Sequence, residues 1–238
     1  MKYKNLENVL ISLIVRHLKA NDRGISKYYD DDKKFKAYGF SRVLIGLVDN
    51  HSSIGLRQMV KNFGIDLISN LGININSDGV LLLKISINYR KYSHDDVINR
   101  IYEIKDLLYH EVGHLECLVK LNNKGLKKYK DDRKFWMGIF KRGGQKFDSM
   151  FYYLSLTEID AESYKFKHTR SIGNYFKYIN VIWKLNSLEA FKELLIDEWI
   201  LKDIEKYLAE EYGMDIGSFY RLVRNRIRMI YSATTLVK

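Results

Sequence analysis

Apolar and polar positions repeat with two different periods along the chain, and these periods predict where helices and strands lie. Residues 5–20 carry apolar side chains at helical spacing, which predicts a first helix with Gly24 available as a left-handed cap. The segment FSRVLIGLVD (40–49) fits either a strand or a helix. HSSIGLRQMVKNFG (51–64) predicts a helix that ends at Gly64.

Residues 65–90 change to the pattern of short strands. IDLIS, GININ and VLLLKISINYR are separated by turn signals such as NSDG. The segment 80–88 alternates most clearly, in KISIN, and is predicted as a strand. From 93 to 120 the apolar residues return to helical spacing, with Ser93 as N-cap and Asp96 in the capping-box position.

Beyond residue 125 the pattern is helical throughout. It predicts helices at about 131–140, 147–168, 188–211 and 218–231. Because no repeat and no linker divides the chain, we expect a single domain over 1–238. The expected architecture is a predominantly helical α+β fold with a small sheet in the first half. It comprises a helical N-terminal region (about 1–64), a core (about 65–170) and a helical C-terminal region (about 171–238).

The composition indicates a globular protein of the cytoplasm. Hydrophobic residues make up 46% of the chain and aromatic residues 13%, which suffices for a packed core. The apolar run VLISLIV (9–15) is too short to span a bilayer, and Arg16 and Lys19 follow it where a signal peptide carries small residues. The single cysteine, Cys117, excludes an internal disulfide. We therefore expect a cytoplasmic protein without a membrane partner.

A net charge of +11 raises the question of an anionic partner. The basic residues are spread widely, through KKFK, KGLKK and RLVRNRIR. In the last of these, Arg221, Arg224 and Arg228 form a stripe at helical spacing that could follow the phosphates of a nucleic acid. A solvated arginine face on an amphipathic helix explains the same spacing, so both alternatives stay open.

One motif carries recognisable chemistry, in LLYHEVGHLE (107–116). His110 and His114 are four residues apart on a predicted helix, so both imidazoles can reach one zinc ion from the same face. Glu111 is rotated by about 100° from His110, which puts it beside the metal, where it can take a proton from a zinc-bound water. The alternative is a helix with two incidental histidines.

A catalytic zinc site needs a third protein ligand, and LTEIDAESY (156–164) offers carboxylates for it. Glu158 and Glu162 lie on one helical face with the small residue Ala161 between them, which allows another helix to approach. Glu158 is predicted to bind the zinc, and Glu162 to accept a hydrogen bond from a ligating histidine. Asp160 is expected to meet solvent or backbone. For both glutamates the alternative is a charged helix surface.

These two motifs together resemble the gluzincin type of zinc metallopeptidase, and most of all the ImmA/IrrE group from phages and mobile elements. That group pairs an H-E-x-x-H helix with a later E-x-E-A-x-x-F-like helix and has a short strand before the first. Here KISIN (84–88) takes the strand position, and Glu158 and Ala161 match directly. Asp160 stands in for the second acid of that motif and Tyr164 for its phenylalanine.

The resemblance covers about 80–166 and implies a zincin-like fold with the catalytic core in 65–170. It implies a zinc-dependent endopeptidase that cuts a protein substrate, such as a transcriptional regulator. The implied site consists of the metal ligands His110, His114 and Glu158, the catalytic base Glu111, and Glu162 as a hydrogen-bond partner of a ligand. A nucleic-acid-binding protein with a zinc-stabilised, non-catalytic core is the main alternative. An interaction protein without metal is a third.

Overall fold

The computed structural model describes residues 5–20, 27–29, 36–49, 63–69, 80–87, 92–142, 151–169, 187–194 and 198–235. These ranges are mostly helical, with a small sheet in the first half of the chain, so the predominantly helical α+β class is confirmed. The chain divides into two compact units, Met1–Val119 and Lys120–Lys238. The expectation of one domain over 1–238 stays a prediction.

The first unit combines helices with a mixed sheet. Its described elements are α1 (Leu6–Lys19), β1 (Lys27–Tyr29), β2 (Arg42–Asp49), β3 (Phe63–Ser69), β4 (Val80–Ile87), α2 (His94–Asn99) and α3 (Ile101–Val119). The strand order is β1-β2-β4-β3. Strands β2 and β4 are parallel, whereas β1 with β2 and β3 with β4 are antiparallel.

The two central strands bury alternate side chains. Val43 and Ile45 in β2 and Leu81, Leu83 and Ile85 in β4 are at most 1% exposed. Since successive side chains of a strand point to opposite faces, the buried residues within each strand share one face. Helix α3 contacts β3, and α1 contacts both α2 and α3. The core of this unit therefore fixes the position of α3.

The N-terminal predictions are confirmed only to a limited extent. The first helix is α1, and the ambiguous segment 40–49 contains strand β2, so the region predicted as helical, 1–64, is not helical throughout. Gly24, residues 51–62, GININ and NSDG lie outside the described residues. The predicted helix end at Gly64 is wrong, because Phe63 and Gly64 begin β3 and pair with β4. At these residues, pairing with β4 outweighs the helical pattern of 51–64.

The long helix predicted over 93–120 is divided in two. Its capping box is confirmed, since the Ser93 hydroxyl accepts from the Asp96 amide at 3.2 Å and the Asp96 carboxylate accepts from the Ser93 amide at 2.8 Å. Arg100, at φ −106° and ψ 26°, leaves the helical conformation and separates α2 from α3. Its side chain pairs with Glu103 in the first turn of α3 at 2.5 Å.

The second unit is helical in its described residues. Its helices are α4 (Asn123–Arg142), α5 (Leu156–Thr169), α6 (Leu188–Leu194), α7 (Glu198–Tyr212) and α8 (Ile216–Thr235). Helix α4 begins well before the predicted 131. The predicted helix 147–168 is present from Leu156 as α5, and its predicted start at 147 lies outside the described residues. The predicted helix 188–211 appears as α6 and α7, with 195–197 outside the described residues.

Aromatic side chains dominate the core of the second unit. The largest fully buried ones are Trp136, Phe151, Phe191 and Phe219. Helix α4 contacts α5 and α7, and α8 contacts α5, α6 and α7. Across the described ranges of both units, none of the helices has the length and apolar character that a bilayer crossing requires.

Candidate metal centre

Helix α3 presents the HEVGH motif from a firmly packed position. Ile104, Leu108, Val112 and Leu115 recur at helical spacing and are at most 6% exposed. They form the apolar stripe that packs α3 into the first unit. A helix with about 3.6 residues per turn puts His110 about 200° around the axis from Leu108. His110 therefore lies on the side of α3 opposite its apolar stripe, and His114 is turned about 40° further around the axis.

The structure brings His110, Glu111 and His114 together. Each offers one ligand atom, and these atoms all lie within 4.8 Å of one another. The two imidazole rings meet edge to face, with centroids 4.8 Å apart and planes at 89°. All three side chains are half-buried. This is the one such cluster of three or more candidate ligands found within the described residues of the chain.

The donor set fits a zinc ion. Zinc binds histidine nitrogens at about 2.1 Å in tetrahedral geometry, so two ligating nitrogens lie about 3.4 Å apart. The separation within the cluster, at most 4.8 Å, is compatible with that spacing. Two imidazoles and a carboxylate are also the ligand types that zinc prefers. That this cluster holds a metal stays a prediction.

Tyr109, which precedes the motif, ties α3 to α1. Burial raises the pKa of its phenol, and the nearby carboxylate of Glu7 raises that pKa further through its charge and a hydrogen bond. Glu7 is only 3% exposed on α1. A phenol with a raised pKa stays protonated and can donate its hydrogen to the carboxylate. Tyr109 is thus an anchor that helps to hold the HEVGH helix in place.

Glu158 and Glu162 are buried on α5. They are 2% and 3% exposed, and Ala161 between them is fully buried. The alternative of a charged, solvated helix surface is therefore wrong for both. The Lys165 ammonium donates to the Glu162 carboxylate at 3.0 Å, which forms a buried ion pair within the helix. A buried carboxylate is stable only with compensating charges or hydrogen bonds, and Lys165 supplies one for Glu162.

The predicted site residues belong to both units of the chain. His110, Glu111 and His114 lie in the first unit, and Glu158 and Glu162 lie in the second. The zinc ligation predicted for Glu158 and the hydrogen bond predicted from a ligating histidine to Glu162 stay predictions. Asp160 is predicted to meet solvent or backbone; it is half-buried, and its carboxylate also accepts a hydrogen bond from the Tyr129 hydroxyl of α4, which the prediction did not include.

Asp132 and Arg226 stabilise the beginning of α5, and the sequence pattern did not predict their pairing. The Asp132 carboxylate accepts the Leu156 amide hydrogen at 2.7 Å and pairs with the Arg226 guanidinium. Burial raises the pKa of Asp132, and burial lowers the pKa of Arg226. The one signal in the sequence is that Arg226 falls on the apolar side of α8, with Val223 and Ile227. An arginine there needs a buried carboxylate.

Comparisons of the chain with protein-family models, with curated proteins and with solved structures found no match. The resemblance to ImmA/IrrE-type enzymes therefore rests on the motifs within 80–166, and the geometry of the site rests on the structure.

Proposed function

We propose that this protein is a zinc-dependent metallopeptidase that hydrolyses peptide bonds of a protein substrate, with a regulatory protein as the favoured class. The observation that carries the proposal is the cluster of His110, Glu111 and His114, whose ligand atoms lie within 4.8 Å of one another. In this proposal His110, His114 and Glu158 hold the zinc. Glu111 is the catalytic base, and the fold is zincin-like.

Within the HEVGH motif, the two histidines are proposed to bind the metal and Glu111 to carry a proton. Zinc in such a site lowers the pKa of a water molecule and polarises the carbonyl group of the substrate. Glu111 takes the proton that the attacking water loses and later delivers it to the leaving amine. Its position one residue after His110 keeps the carboxylate close to the site, and its half-burial leaves it accessible to a substrate.

The surroundings of Glu158 support it as the third ligand. Transfer of a carboxylate out of water is unfavourable, and binding a cation is one way in which proteins offset that cost. Glu158 is 2% exposed, and Ala161 beside it on the same helix is fully buried. Glu162 forms an ion pair with Lys165 and is proposed to orient a ligating histidine.

The variant Glu111→Gln tests the proposal. The zinc-loaded full chain is incubated with peptides from a digested proteome, and new peptide termini are identified by mass spectrometry. We expect wild type to produce new termini and Glu111→Gln to produce none while it retains zinc. Glu103→Gln, a substitution earlier on α3, is the matched control and is expected to keep the activity. Full activity in Glu111→Gln would refute the assignment, and loss of zinc would make Glu111 a ligand.

A nucleic-acid-binding protein with a zinc-stabilised, non-catalytic core is the second candidate function. The net charge of +11 favours it. In that case wild type would bind zinc but produce no new termini with any peptide. His114→Ala would lower the stability of the fold, and Glu111→Gln would change nothing. The same set of variants therefore separates the two functions.

A further inference from the structure

Helix α4 carries the densest positive charge among the described helices. Eight of its 20 residues are lysine or arginine and two are aspartate, a net charge of +6. That is more than half of the +11 of the whole chain. One of the aspartates, Asp132, is paired internally with Arg226, which leaves Asp131 as the exposed acid of this helix.

Four of these lysines form a row on the outward side of α4. Lys127, Lys130, Lys134 and Lys141 are exposed. Their spacing of three, seven and fourteen residues confines them to an arc of about 60° around the helix axis. The opposite side packs into the core of the unit through Phe135, Trp136 and Ile139, which are at most 6% exposed. The lysine row therefore faces away from the core.

The lysine row is not paired with acidic side chains in the part of the chain that the structure describes. Among the described residues of the chain, none of its four members forms an ion pair with a carboxylate. Arg142 at the end of the same helix is different. It donates to the Gly138 carbonyl at 2.9 Å and lies over the Tyr207 ring at 3.9 Å. The lysine row is thus available to an external anion.

The arginines of the stripe predicted on α8 make more contacts with other side chains of the protein. Arg221 donates to the Ser218 hydroxyl at 2.9 Å, and the Arg224 guanidinium lies 5.7 Å from the centre of the Tyr220 ring. Neighbouring Arg226 is committed to Asp132. These contacts favour the lysine row over the arginine stripe as the surface for a polyanion.

The dimensions of the row fit a nucleic-acid duplex. Fourteen residues of helix extend about 21 Å, which matches about six base pairs at a rise of about 3.4 Å. Single strands bind through aromatic platforms, but the aromatic residues of α4 are turned elsewhere. Tyr129 donates to Asp160, and Phe140 packs at 5.9 Å from Tyr152. The apolar side of α4 lies in the core, so it is not available for insertion into a lipid surface.

We propose that the lysine row of α4 docks on the phosphate backbone of double-stranded DNA and does not read its sequence. Lysine acts as a point charge toward phosphate, and such contacts position a protein without distinguishing bases. The proposal is independent of the metal centre, since it uses the second unit alone.

The test is the salt dependence of DNA binding by the full chain. Fluorescence anisotropy with a labelled 20-base-pair duplex gives the Kd between about 50 and 200 mM salt. The variant combines Lys127→Gln, Lys130→Gln, Lys134→Gln and Lys141→Gln. Each lost phosphate contact reduces the slope of log K against log salt by about 0.9, so for four contacts we expect a reduction of about 3.6. At about 100 mM salt we expect binding to weaken about 30-fold or more.

A control variant removes the same charge elsewhere in the unit. It combines Lys202→Gln, Lys206→Gln, Arg221→Gln and Arg228→Gln, all at exposed positions of α7 and α8. We expect the Kd of this control to rise less than a tenth as much as the Kd of the lysine-row variant. Equal losses in the two variants would refute a localised contact. A wild type that binds polyglutamate or anionic vesicles as tightly as DNA, or an RNA duplex tenfold more tightly, would overturn the choice of partner.

Discussion

Asp132 joins three helices of the second unit, and its replacement offers a quantitative test of that unit. From α4 it accepts the amide hydrogen of Leu156 at the start of α5 and pairs with Arg226 of α8. Asp132→Asn keeps an oxygen for the Leu156 amide but removes the negative charge. The guanidinium of Arg226 is then left buried without its counter-charge. We expect the free energy of unfolding to fall.

The burial of both side chains sets the magnitude. Asp132 is 10% exposed and Arg226 12%. Removal of one partner from a buried pair costs about 3–5 kcal/mol. Because some solvent still reaches both groups, we expect the lower end, about 3 kcal/mol. Replacement of both partners removes the uncompensated charge, so Arg226→Met added to Asp132→Asn should restore about 1–2 kcal/mol.

Urea unfolding followed by tryptophan fluorescence measures this effect. All three tryptophans of the chain, Trp136, Trp183 and Trp199, belong to the second unit, so their emission reports on that unit. With a denaturant slope of about 2 kcal/mol per molar, a loss of about 3 kcal/mol lowers the urea midpoint by about 1.5 M.

A solvent-exposed pair in the same unit is the control. Lys206 and Glu210 lie 4.0 Å apart and are 70% and 63% exposed. Exposed pairs contribute about 0–1 kcal/mol, so Glu210→Gln should leave the midpoint nearly unchanged. If Asp132→Asn shifted the midpoint no more than Glu210→Gln, the pair would not stabilise the unit and our reasoning would be refuted.

Two further predictions concern Gly138 and the proposed zinc ligand Glu158. A methyl group at Gly138 would overlap the Tyr207 ring, so we expect Gly138→Ala to lower the free energy of unfolding in urea by about 1–2 kcal/mol. A similar loss in a Tyr207→Ala background would contradict this explanation. Glu158→Ala should weaken zinc binding at least about 100-fold in competition with a chelator, and Glu162→Gln about tenfold; unchanged affinity in Glu158→Ala would mean that the third ligand lies elsewhere.

Local signals were enough to predict several elements. The apolar spacing of 5–20 gives α1, and the alternation in KISIN gives β4. Ser93 and Asp96 are three residues apart, so their reciprocal capping could be predicted from the sequence. The spacing of HEVGH within a helix likewise implied that His110, Glu111 and His114 lie close together, as they do.

The start of α4 was missed because its first half has few apolar residues. The helix begins at Asn123, and the Asn122 side chain accepts the Gly125 amide hydrogen at 2.8 Å. The buried residues that mark a helix in the sequence come only from Phe135 onward. Capping and a tertiary contact between Tyr129 and Asp160 stabilise the polar half instead.

Non-local interactions account for the other differences. Phe63 belongs to β3 because β4 provides backbone partners for it, which a helical signal in 51–64 cannot anticipate. The partners Asp132 and Arg226 are separated by 94 positions. Tertiary packing decides whether a glutamate on a helix is solvated or buried, and the spacing of Glu158 and Glu162 alone does not contain that information.

The most direct test of the proposed metal centre is the metal content of the protein, measured by mass spectrometry after purification without a metal-affinity tag. Wild type is compared with His114→Ala. We predict about one zinc per chain in wild type and its loss in the variant, because His114 supplies one of the two imidazoles on α3. A wild-type chain that binds no zinc, even after zinc is added and the excess removed, would contradict the proposal.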